Sequence, residues 1–163
     1  MDTIDVRLME GVTESGEPWE EIKLVLNGEE IRHTFDPFEL ALPRSKQVNV
    51  FLRTCSCGFA GCEGLFWGVQ VKRRKVNVEW RDQERKGNTF PKRFYSFDRT
   101  EYDKAADKAY SMITDVVRKR ESAGRDKNDE YDSMIPYYTL KELDDGVERY
   151  REYININGVS WSW

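Results

Sequence analysis

The three cysteines of the chain, Cys55, Cys57 and Cys62, sit close together in the stretch TCSCGFAGCEG. Thiolates at that density are metal ligands, nucleophiles or small buried hydrophobes. With the single histidine, His33, the spacing C-x-C-x4-C supplies three thiolates and one imidazole, the ligand count of a tetrahedral structural zinc. The usual zinc knuckle is C-x2-C, whose turn points both sulfurs inward, and this spacing departs from it. The alternative is a glycine-rich connection in which Gly58, Gly61 and Gly64 adopt angles other residues avoid, while the thiols fill the cramped space beneath. A cysteine nucleophile would need a nearby base or a helix N-terminus to lower its pKa, and the sequence shows no second catalytic partner. The expectation is no cofactor, with zinc at Cys55, Cys57, Cys62 and His33 as the one candidate metal site.

Other chemistry is scarce. The chain has no P-loop, no G-x-G-x-x-G and no G-x-S-x-G, and one histidine excludes H-E-x-x-H. Glu84-Arg85-Lys86, with Asp82 just before it, has the E-x-K form of one class of metal-dependent nucleases, but it follows a strand instead of lying within one. No enzyme is expected. Lys72, Arg73, Arg74 and Lys75 form a basic cluster that could track a phosphate backbone, although four cations also keep a hairpin tip solvated. In the C-terminal part, Asp129, Glu130, Asp132, Asp144, Asp145 and Glu148 alternate with tyrosines that include Tyr137 and Tyr138. Tyrosine gives rigid contact area and carboxylates attract a basic surface, so this region predicts a protein-binding face.

The string C-x-C-G-x-x-G-C-x-G is followed by an aromatic strand and by V-x-V-x-W at Val76, Val78 and Trp80. It resembles small bacterial cytosolic proteins, several of which are thought to be immunity proteins of polymorphic-toxin or contact-dependent growth inhibition systems. The shared pattern covers about 26 residues and brings no catalytic residues with it. The resemblance implies a non-catalytic protein that binds and neutralises a cognate toxin domain. If that toxin is a nuclease it is basic, and an acidic, aromatic face suits its inhibitor. The alternative is a nucleic-acid-binding or regulatory module acting through residues 72–75; nucleic acid and membrane are otherwise not expected as partners, and the oligomeric state stays open.

These residues need elements to position them. Ile4, Val6 and Leu8 alternate with polar residues as in a half-buried strand. Ile22, Leu24 and Leu26 lead through Asn27-Gly28 into Ile31, His33 and Phe35, a type I′ hairpin that sets Leu24 opposite Ile31 and Ile22 opposite His33, histidine toward the core. Pro37 and Pro43 leave room between them for about one helical turn. Val48, Val50 and Leu52 form a strand running into the cysteine loop. Beyond it, Trp67, Val69 and Val71 share one face with Val76, Val78 and Trp80 on either side of the basic tip of a second hairpin, and Phe90 to Phe97 supply a further strand. Asp98 and Glu101 have capping spacing, followed by an amphipathic helix to about Arg120. Thr139 and Glu142 repeat that spacing before a second, more polar helix. The sum is an α+β fold: a mostly antiparallel sheet of about six strands carrying one long and one shorter helix.

At 163 residues the chain suits a single domain, 1–163, with enough apolar material, 39%, for a core without disulfides. The net charge of −4 is uneven: 11 acids against 6 bases over 1–60, 11 against 17 over 61–127, and 8 against 3 over 128–163. Such asymmetry steers partners of opposite sign or is neutralised across the surface. The N-terminal residues lack the basic and apolar regions of a secretion signal, and no apolar run reaches membrane-spanning length, which together predict a cytoplasmic protein.

Overall fold

The computed structural model describes residues 1–32, 34–41, 47–50, 52–54, 68–84, 90–124 and 138–145. Alternation builds the first element. Strands β1 (Ile4–Val12) and β2 (Pro18–Leu26) pair antiparallel from Ile4 opposite Leu26 to Val12 opposite Pro18. Their shared parity buries Ile4, Val6, Ile22, Leu24 and Leu26 on one face. At the next turn Asn27 and Gly28 take φ of 53° and 82°, the left-handed pair of a type I′ turn, and β3 (Glu29–Glu30) returns beside β2. The Ile31 amide bonds the Leu24 carbonyl at 2.9 Å, so the expected Leu24–Ile31 register holds.

The second arm of that hairpin is shorter than its apolar pattern suggests. Next come β4 (Thr34–Phe35), α1 (Pro37–Ala41), β5 (Gln47–Val50) and β6 (Arg53–Thr54), and β4 pairs with β6 instead of continuing along β2. Proline at the first helical position pre-sets the backbone of α1, which buries Phe38 and Leu40. His33, expected opposite Ile22, lies outside the described residues.

Strands β7 (Val69–Arg73), β8 (Asn77–Asp82) and β9 (Phe94–Asp98) complete a four-stranded antiparallel sheet in the order β5-β7-β8-β9. Val71 lies opposite Trp80, and Trp80 opposite Tyr95. The Trp80 indole is the centre of the core, with the rings of Phe97, Tyr102, Phe90 and Tyr95 at 4.9, 5.9, 6.0 and 6.2 Å. A buried aromatic of that size is worth about 3–5 kcal/mol against alanine.

Helix α2 (Arg99–Ser122) starts at the expected cap: the Asp98 carboxylate accepts from the amides of Thr100 and Glu101 at 2.8 and 3.1 Å. It buries Tyr102, Ala105, Ala106, Ala109, Ile113, Val116 and Val117, while Lys119 and Arg120 suit the dipole of its last turn. Residues 140–145 are helical as well.

The α+β class, the antiparallel pairing and the long helix are as expected, but the strands do not form one sheet. They fall into a three-stranded sheet β1-β2-β3, a two-stranded ladder β4-β6 and the four-stranded sheet. One parallel bridge, Asp2 to Phe97, joins the first sheet to the last. A single cluster of buried residues nonetheless runs from Ile4 to Leu143. No helix among the described residues is long and apolar enough to cross a membrane.

Candidate functional site

Of the acidic and aromatic residues expected to meet a partner, Tyr138, Asp144 and Asp145 are described. Asp129, Glu130, Asp132, Tyr137 and Glu148 lie outside the described residues. The segment 138–145 is built by its own sequence: the Thr139 amide donates to Glu142 Oε2 at 2.8 Å and the Glu142 amide to Thr139 Oγ1 at 3.0 Å. This reciprocal capping box satisfies two donors that the first helical turn leaves open. The Leu140 amide donates to Glu121 Oε1 at 2.9 Å, and Leu143 is buried. The segment is thus held to α2, and Asp144 stays exposed at its far end.

Tyr138 is not a free anchor. Its hydroxyl donates to Asp36 Oδ2 at 2.6 Å, and its ring lies 5.0 Å from that of Phe38. Asp36 in turn caps α1, its Oδ1 accepting from the amides of Phe38 at 3.0 Å and Glu39 at 3.4 Å. Burial pushes the Asp36 carboxyl up to about 6, against the opposing pull of the Tyr138, Phe38 and Glu39 hydrogen bonds. Burial and the Asp36 charge likewise drive the Tyr138 hydroxyl above its ordinary range. The pair therefore positions the acidic segment. Sequence reasoning passed over Asp36, although Asp before Pro at a helix start is an N-cap signature.

The basic cluster divides. Arg73 points inward: its guanidinium pairs with Asp103 on α2, lies 5.6 Å from the Tyr102 ring, and its side chain is 8% exposed. Arg74 bonds Glu79 at 2.6 Å, and Arg99 donates to the Arg74 carbonyl at 3.2 Å. Lys75 is exposed and Lys72 partly so. Arg73 and Arg74 are thus matched within the protein. Val76, expected on the core face, is 65% exposed, because residues 74–76 make the turn at the tip.

The acids of the E-x-K stretch are also engaged. Asp82 faces inward with Trp80 and is buried; it accepts from the amides of Glu84 at 3.2 Å and Phe90 at 3.0 Å. Glu84 is buried and accepts from the Gly68 amide at 3.1 Å. These carboxylates satisfy backbone donors of the surrounding loops. Lys86 lies outside the described residues.

Cys55, Cys57 and Cys62 fall, with His33, outside the described residues. Among the described residues, no group of three or more His, Cys, Asp or Glu is placed to hold a metal ion. Comparison of the chain with family models, with curated proteins and with solved structures returns no match.

Proposed function

We propose that this protein is a non-catalytic binding protein of the immunity type, which neutralises a basic toxin domain through the acidic, aromatic region of its C-terminal third. The observation that carries this reading is the docking of segment 138–145. Tyr138, the Thr139–Glu142 box and Leu143 fix its backbone while Asp144 remains on the surface. Carboxylates held on a fixed frame lose little entropy on meeting a cationic partner, and their field raises the encounter rate. The segment continues a stretch of the chain with 8 acids against 3 bases over 128–163. The cysteine loop and its resemblance to immunity proteins point the same way, with zinc at Cys55, Cys57, Cys62 and His33 as an independent question for metal analysis.

The test is a stoichiometric pull-down from the source cytosol at moderate salt, followed by titration of the recovered partner. Asp144→Lys with Asp145→Lys is expected to weaken the complex at least tenfold and to flatten its dependence on salt. An unchanged affinity and an unchanged salt slope would remove this face from the interface.

A further inference from the structure

We propose that the outer edge of β1, together with the acidic end of the β1–β2 hairpin, is a docking strip for an extended, positively charged strand of a partner protein. The inference rests on the protein-binding reading above and names the partner's chemistry at a second surface.

The direction of the backbone groups follows from register. The Ile31 amide bonds the Leu24 carbonyl, so the peptide groups of Leu24 turn toward β3. Leu24 lies opposite Val6, and the Val6 groups therefore turn away from β2. The Val6 amide confirms this by donating to its neighbour's Asp5 Oδ1 at 2.8 Å. With a period of two, the amides and carbonyls of Leu8, Glu10 and Val12 share that outward direction. Thr13, of the other parity, bonds inward to the Glu17 carbonyl at 2.7 Å. Beyond the Asp2 bridge, no described strand pairs with this edge.

A nine-residue edge normally carries lysine, proline or a bulge that keeps other strands off. The outer half of β1 carries none of these and exposes apolar surface instead, Met9 at 38% and Val12 at 67%. Its charge selects the occupant. Residues 8–22 contain five glutamates and no lysine or arginine. Glu20 bonds Lys119 at 3.0 Å and Glu21 bonds Lys23 at 2.6 Å, whereas Glu10, Glu14 and Glu17 form no ion pair among the described residues. A second copy of the chain would bring the same glutamates against these, which repel. An added strand with lysine or arginine gains main-chain hydrogen bonds from the edge and charge attraction from the hairpin end.

The experiment uses the full chain and two synthetic peptides, one alternating lysine with valine and one alternating glutamate with valine, read by amide hydrogen exchange. The cationic peptide should slow exchange at Leu8, Glu10 and Val12 at least fivefold, and the anionic one should not. Glu10→Pro removes an outward amide and no ladder bond, so it should abolish that protection while the α2 amides keep theirs. Should that variant unfold, Glu14→Lys with Glu17→Lys, in the turn, should weaken binding tenfold. Equal protection by both peptides, protection at other residues only, or protection that grows with protein concentration without peptide would each overturn the strip. In the partner titration, a loss with Asp144→Lys and Asp145→Lys but none with Glu10→Pro overturns the strip alone. Peptide docking with no partner complex at any salt overturns the inhibitor reading alone.

Discussion

Gly11 shows how closely single residues are held. It lies opposite Trp19 in the hairpin, and a Cβ there would meet the indole Cε2 and Cζ2 at 2.5 Å. The indole must swing outward to admit it, so Gly11→Ala is expected to cost about 1–3 kcal/mol, visible as a lower denaturation midpoint. Asp36 carries a pH signature of definite sign. Its carboxyl rises from 3.8 to about 6 on folding. The native state therefore binds the extra proton, and the stability this group contributes is full below about 4 and is lost as pH rises through 6. Relative to Asp36→Asn, wild-type stability should fall between pH 4 and pH 7 by on the order of 3 kcal/mol, measured by chemical denaturation at both ends. A pH-independent difference would refute it. The acid-and-tyrosine pattern marked Tyr138 for the surface, but its partner Asp36 stands 102 residues away, and local spacing carries no information about such a contact.

At the scale of elements, the local signals read well. Asn27-Gly28, the Asp98 cap and the Thr139–Glu142 box each involve residues within four positions of one another, where sequence and geometry are tied directly. Asp98→Ala should destabilise the protein by about 1 kcal/mol, since two amides at the start of α2 lose their acceptor; urea denaturation will show it. Legibility stopped where strands choose partners. The alternating run ending at Phe35 looked like one long hairpin arm, yet Phe35 pairs with Arg53. Apolar spacing tells a strand which side faces the core and says nothing about its neighbour. Val76 failed for a related reason: the pattern fitted a strand, and the turn claimed the residue.

Across the whole molecule, α2 is the common support. It is tied to the first sheet by Lys108 to Asp5 at 2.7 Å and Lys119 to Glu20 at 3.0 Å, and to the last sheet by Arg73 to Asp103. The two sheets meet at Asp2, which receives the Asn27 side chain at 2.9 Å and the Ser96 amide at 3.0 Å and pairs with Lys92. Burial alone would raise this carboxyl, but those hydrogen bonds and the lysine hold it below its ordinary value. Asp2→Ala should therefore cost about 1–3 kcal/mol, and amide exchange at Ser96 should accelerate more than exchange in the middle of β8. None of this was legible, because it joins residues 25 to 94 apart. That separation also sets a timetable. During synthesis the β1–β2 hairpin can close as soon as it leaves the ribosome, whereas the Asp2 seam must wait until Ser96 has emerged, and until then the carboxylate that will hold β9 stays open to every other nascent chain nearby.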